Sequence, residues 1–248
     1  MKPIHLLYLL LLIISCKKNP QQLTKITAKT IAIDSTINSS HKIDSLIQPY
    51  KKKLTSDMQQ VLSYASKDFL KEQHSGQSAV GNLLADLWFD SASFIFKEKT
   101  DTSIDFALFN YGGIRATIPK GKVTVERAFK LMPFENELVV VTLTGNKVIE
   151  LVNFFINDKR AHPISKNIEL IVNNSEYFLK INGKDFDKNK SYTVLTSDYL
   201  QGGGDNMVFF KNPESLVKLD YKARTAIIDY FEKTDTLKAG IDNRVIIK

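Results

Sequence analysis

Two glycine-rich loops constrain this chain more than any other feature. Asn110-Tyr111-Gly112-Gly113-Ile114-Arg115 follows an apolar, strand-like run at residues 104–109, and Asp198-Tyr199-Leu200-Gln201-Gly202-Gly203-Gly204-Asp205 follows another at 192–195. Each loop therefore holds polar groups at a strand end. Glycine there lets the backbone turn through positive φ and lets a ligand approach the main chain closely, which a Cβ would prevent. The accompanying groups are an amide, a guanidinium, an aromatic ring and a carboxylate, a set that suits a phosphorylated, hydroxylated, flat-ringed ligand such as a nucleotide. Either loop alone also reads as an ordinary turn, since glycine pairs punctuate many loops.

The loops have company. Residues 110–118, Val123, Pro133-Phe134-Glu135-Asn136, Leu138-Val139 and Leu143-Thr144-Gly145, closed by the second loop, resemble the C-terminal domain of bacterial and animal 5′-nucleotidases. The likeness begins at Gly81-Asn82-Leu83-Leu84-Ala85-Asp86, more loosely at Ile31, and ends near Phe231. It implies a mixed α/β (α+β) fold with sheet layers covered by helices. Full-length members of that family carry an N-terminal metallophosphoesterase domain, with metal ligands in Asp-x-His, Gly-Asp, Asn-His-Glu and Gly-His-x-His patterns. The four histidines here, His5, His41, His74 and His162, fall in none of them. A dinuclear site needs several convergent imidazoles and carboxylates, so no metal ligand and no cofactor is expected in this chain. Two divalent metals are expected in a partner subunit.

The resemblance also assigns residues to ligand groups. The base is expected between Phe134 and Tyr199, each stack contributing about 1–3 kcal/mol with little preference among bases. Asp205 matches a carboxylate that accepts from ribose hydroxyls. Asn110, Arg115 and Asn136 match positions that contact base, phosphate or ribose, and the Arg115 fork fits phosphate oxygens. Two departures stand out: His74 replaces an arginine that reaches the phosphates, and Arg160 occupies a position beside Ala161-His162-Pro163 where relatives tend to have glycine. Each also has a structural alternative: Phe134 as core beside Phe129, Leu131 and Met132, Asp205 as a cap after the glycines, and Arg115 as a solvated surface group.

Residues 1–15 read as a signal peptide, because the apolar run from Leu6 to Ile14 is too short to span a bilayer. Ile13-Ile14-Ser15-Cys16 resembles a lipobox, and Cys16 is the sole cysteine, so lipidation there explains an exported chain with one thiol. Residues 16–25 form the tether and 26–248 the nucleotide-binding domain. The expected location is that of an exported bacterial lipoprotein, periplasmic or on the outer membrane, held through its lipid anchor. The formal charge of +7 becomes +6 when Lys2 is removed with the leader. The lysines are dispersed and not interleaved with aromatics, so no nucleic-acid partner is expected.

Along the chain, alternation predicts a strand over 26–37 and a helix from Ser39 or Ser40 through Ile47 that Pro49 restarts toward Met58. A strand is expected over 61–69, a long amphipathic helix over 78–96, strands at 137–143 and 167–172, and a helix over 146–156. A hairpin around Asn173-Asn174-Ser175 pairs 167–172 with 177–181. A closing helix over 221–231 and a strand at 244–247 complete the reading. Three functions follow: the nucleotide-binding subunit of a split 5′-nucleotidase working with a stand-alone metallophosphoesterase, a non-catalytic lipid-anchored nucleotide or nucleoside binder, or a structural paralogue. The retained Phe134, Tyr199 and Asp205 weigh against the third.

Overall fold

The computed structural model describes residues 22–72, 76–173 and 176–247. The expected signal peptide, Cys16, the first part of the tether and His74 lie outside the described residues. The chain divides into two units, Met1–Gln48 and Pro49–Lys248.

In the first unit, the strand expected over 26–37 does not form. Ile26, Ile31 and Ile33 are exposed, no ladder pairs this stretch among the described residues, and the Asp34 carboxylate accepts from the Thr36 amide at 2.9 Å, closing a turn. Alternation supplies a face but no partner, and unpaired backbone gains nothing from an extended conformation. Helix α1, His41–Met58, begins in this unit and continues into the second as one element with Pro49 inside it, so the expected restart is absent and the helix instead forgoes the amide that Pro49 lacks.

The second unit carries strands β1 (Val61–Ala65), β2 (Phe106–Ala107), β3 (Gly121–Thr124), β4 (Glu137–Thr144), β5 (Ile168–Asn173), β6 (Glu176–Ile181), β7 (Lys184–Asp185), β8 (Ser191–Ser197), β9 (Ser215–Lys222), β10 (Thr236–Leu237) and β11 (Val245–Ile247). Between them lie helices α2 (Ala79–Thr100), α3 (Val125–Leu131), α4 (Gly145–Asp158), α5 (Asp198–Gln201) and α6 (Ala223–Glu232). Among the described residues three sheets form, in the orders β10-β1-β3, β11-β5-β6-β7 and β2-β8-β4-β9, so the mixed α/β fold is observed. The expected hairpin is the β5–β6 pair, in register Asn173↔Glu176.

Helix α2 starts where Ser78 Oγ accepts from the Gly81 amide at 3.1 Å, and it packs against α6, β2 and β9. Its Trp88 is fully buried. The indole donates to Ala223 O at 2.9 Å, giving the one polar atom of a large apolar ring its partner. Phe109 meets that ring at a centroid distance of 4.3 Å. Strand β9 has no counterpart in the sequence reading: as an edge strand it alternates Leu216, Lys218, Asp220 and Lys222 on a largely exposed face, the charged pattern that keeps an edge from pairing with another chain.

The third sheet gathers three loops at one end. β2 and β8 run parallel with Ala107 opposite Leu195, so Asn110 and Asp198 each stand three residues past that rung, where the two glycine loops leave the same end of the sheet. β4 runs antiparallel to β8 with Leu138 opposite Ser197, which brings the segment before β4, residues 133–136, to that end as well.

Candidate functional site

These three loops enclose a cavity of about 270 Å³ lined by Asn110, Gly112, Gly113, Arg115, Phe134, Asn136, Tyr199 and Asp205, near the lower end of the ligand-pocket range of about 300–1,000 Å³. Six of the seven residues that the sequence reading expects to contact a ligand are among them. Phe134 is 40 % exposed and Tyr199 47 %, so neither is core. Asn136 is half-buried and Arg115 exposed, and the Arg115 guanidinium has no hydrogen-bond or ion-pair partner among the described residues. Its backbone amide donates to Leu131 O at 2.9 Å.

The polar groups are organised around Asp205. Asn110 Nδ2 donates to Asp205 Oδ2 at 2.7 Å, and the Tyr199 hydroxyl donates to Oδ1 at 3.0 Å. Each carboxylate oxygen keeps a lone pair for a further donor. Asp205 sits at φ 49°, a left-handed conformation, two residues after Gly203 at φ 87°. Positive φ is thus a property of Gly203 and of Asp205 itself, while Gly112, Gly113 and Gly204 serve close approach. A Cβ on Gly204 would lie 2.5 Å from Tyr199 Cε1, and one on Gly113 2.7 Å from Asn110 Oδ1. The space a Cβ would take is filled by the site's own side chains.

Three residues the sequence reading did not connect to the site support it. Arg224, at the start of α6, donates to Met132 O at 3.1 Å and Phe134 O at 3.2 Å, pairs with Glu135, and stacks its guanidinium 4.2 Å over the Phe129 ring. The Phe129 ring, 37 % exposed, carries that cation on its face. Lys71 Nζ lies 3.8 Å over the Tyr111 ring. Burial, then the nearby charges of Arg115 and Arg160, lower the pKa of Lys71, so three cations share one edge of the site. His162 is buried; its Nδ1 accepts from the Tyr111 amide at 3.1 Å and its Nε2 meets Asp158 Oδ2 at 2.5 Å. Arg160, flagged as a departure beside the base, gives its Nε to the same Asp158 oxygen at 2.7 Å.

Among the described residues, no three His, Cys, Asp or Glu side chains gather to hold a metal, so these residues do not fit a dinuclear centre. The sequence profile described as "5′-nucleotidase, C-terminal domain" matches residues 58–212. The chain belongs to this family. It is 27 % identical over 144 residues to the protein UshA of Escherichia coli K12, covering 56 % of this chain and 26 % of that protein. It is 30 % identical over 140 residues to UshA of Yersinia enterocolitica, with 55 % and 26 % covered. The chain thus spans about a quarter of these relatives' length. In fold it is similar to a 5′-nucleotidase precursor from Thermus thermophilus, at TM-score 0.67, 23 % identity, 82 % of this chain and 42 % of that one. The likeness to that solved structure agrees with the mixed α/β fold of this 5′-nucleotidase C-terminal domain.

Proposed function

We propose that this chain binds a nucleotide in the cavity at the end of the third sheet and presents its phosphate ester to a metallophosphoesterase carried on another polypeptide. Phe134 and Tyr199 take the two faces of the base. Asp205, oriented by Asn110, accepts from the ribose hydroxyls, and Asn136 contacts the nucleoside. Arg115, with Lys71 and His74, receives the phosphate. The observation that carries this reading is the convergence of six residues from three separate segments on one cavity. Membership in a 5′-nucleotidase family supports it, as does the chemistry of the lining: exposed aromatic faces beside a carboxylate, with cations at the rim. The two divalent metals belong to the partner, which supplies the Lewis-acid chemistry. This chain contributes binding and orientation, which are worth most when the reacting bond is held still. An exported lipoprotein anchored through Cys16 would keep both subunits at one membrane.

The test is calorimetry of the purified chain with AMP, followed by a phosphate-release assay before and after adding material co-purified from native membrane. Binding without phosphate release, then release on adding the partner, is expected. A folded chain that binds no AMP overturns the site, and metal-dependent hydrolysis by the single chain overturns the split. Binding by the chain with no partner recovered leaves a lipid-anchored binder of nucleotides or nucleosides.

A further inference from the structure

The first glycine loop is held by a ladder with one titratable rung. Alternate amides of the segment leaving β2 all donate to the segment that follows α4: Ala107 N to Ser165 Oγ at 2.9 Å, Phe109 N to Pro163 O at 2.8 Å, and Tyr111 N to His162 Nδ1 at 3.1 Å. A carbonyl and a hydroxyl keep their acceptor lone pairs at any ordinary pH. An imidazole does not. Because a backbone amide can only donate, Nδ1 must carry the lone pair, and the ring proton sits on Nε2, where it donates to Asp158.

We propose that His162 is a proton-operated latch on the nucleotide cavity: neutral, it holds the Tyr111 amide and with it Asn110, Gly112 and Gly113 in place; protonated, it opposes that amide with a second N–H and releases the loop. This rests on the nucleotide reading of the cavity. Asn110 adjoins the latched amide and donates to Asp205, so release disturbs the ribose-facing carboxylate as well as the loop. The ring is enclosed by Phe154 and Phe155 of α4, at centroid distances of 5.2 and 5.5 Å. The charged groups facing it are Asp158 at the end of α4, Arg160 in the next turn, and Asp205 from the second loop. Burial opposes a charge on the ring and Arg160 adds to that, while Asp158 and Asp205 favour one; the balance lowers the pKa below 6.5. The latch is therefore closed at neutral pH and opens on acidification.

The experiment uses the full chain and uridine, whose base and sugar do not titrate in the acid range, so that only the protein responds. Calorimetry from neutral to acidic pH is expected to show affinity falling toward tenfold per pH unit below a midpoint under 6.5, since the apparent dissociation constant rises as the closed fraction falls. Nitrogen-15 NMR of the free chain should show the His162 ring and the Tyr111 amide titrating with that same midpoint. His162→Asn, which keeps an acceptor oxygen near the Nδ1 position but cannot titrate, should bind more weakly at neutral pH and lose the acid dependence. Affinity that is flat with pH in the wild type, or a Tyr111 amide indifferent to His162 protonation, overturns the latch. Absence of uridine binding at every pH sinks the nucleotide reading instead, and the paired NMR titration of the free chain then decides the latch alone.

Discussion

Gly204→Ala should separate ligand binding from folding at this site. Gly204 is not among the positive-φ residues, so alanine meets no backbone strain there, unlike at Gly203 with φ 87°. The conflict is with one ring: the new Cβ would stand 2.5 Å from Tyr199 Cε1 and 2.7 Å from Cδ1, against about 3.5–4.0 Å for carbon atoms in contact. The ring must retreat by roughly 1 Å or swing outward, and being 47 % exposed it can. Losing the Tyr199 hydroxyl bond to Asp205 costs about 1 kcal/mol, while replacing glycine with alanine returns about 0.4–1 kcal/mol through the unfolded chain. The melting temperature should thus move by no more than about 2–4 °C. Nucleoside affinity should fall by about 1–3 kcal/mol, or roughly 5- to 150-fold, the worth of one base–aromatic stack. Calorimetry with adenosine and uridine, run on Gly204→Ala, Tyr199→Ala and the double variant, checks it. Because both changes remove the same contact, the double variant should lose no more than Tyr199→Ala alone. Full affinity in Gly204→Ala, or additive losses in the double variant, refutes the reasoning.

Phe134→Ala should weaken adenosine and uridine alike by about 1–3 kcal/mol and cost less stability than the roughly 3–5 kcal/mol of a core phenylalanine, because the side chain is 40 % exposed; thermal melts alongside calorimetry read both. Asp205→Asn should weaken ribonucleosides more than 2′,3′-dideoxy analogues, since only the former present hydroxyls to the carboxylate, and equal losses in calorimetry would remove its ribose role. Arg244, with its side chain 5 % exposed, pairs with the partly exposed carboxylates of Asp86 and Asp242, so Arg244→Met should cost about 1–3 kcal/mol in urea unfolding by removing these charge-assisted hydrogen bonds. Burial pushes the Asp242 carboxyl up, but hydrogen bonds and charge from Arg244 outweigh it and hold the pKa below 3.8. That stability is therefore present above pH 3.8 and lost as pH falls through the lower folded value, and the variant should lack this step. Cys16→Ser should abolish partition into detergent after export, and unchanged fractionation would exclude the lipid anchor.

What the sequence disclosed about the site was local. Gly112-Gly113 and Gly202-Gly203-Gly204 each follow an apolar run, and Asn110, Tyr199 and Asp205 lie within those loops, so their placement at a strand end was legible without knowledge of pairing. Supports arriving from elsewhere were not. Arg224 reaches the Phe134 carbonyl across 90 positions, and His162 reaches the Tyr111 amide across 51; nothing in the composition near either marks the connection. Lys71 follows a strand end with no motif of its own. Strand β9 was illegible because an edge strand that resists mispairing dilutes its apolar alternation with charge. The opposite error occurred at 26–37, where alternation was present and a pairing partner was not.

The dependence of the site on sheet register explains why these distant supports are needed. The three loops meet only because β2 lies parallel to β8 with Ala107 opposite Leu195 and β4 lies antiparallel with Leu138 opposite Ser197. A one-residue slip would exchange the two faces of β4, but Leu138, Val139, Val140, Val141 and Leu143 are all buried. Because that strand is covered on both faces, burial alone discriminates weakly between neighbouring registers, and end contacts must do part of the selection. The Glu137 amide donating to Asp198 Oδ1 at 3.1 Å joins the start of β4 to the start of α5. Arg224 then fixes the segment preceding β4, and the ladder ending at His162 fixes the segment following β2. Each loop of the cavity is thus tied to an element outside the third sheet or to the neighbouring loop, and the same ties that set the register hold Phe134, Asn110 and Asp205 in place before any ligand arrives, which lowers the ordering cost of binding.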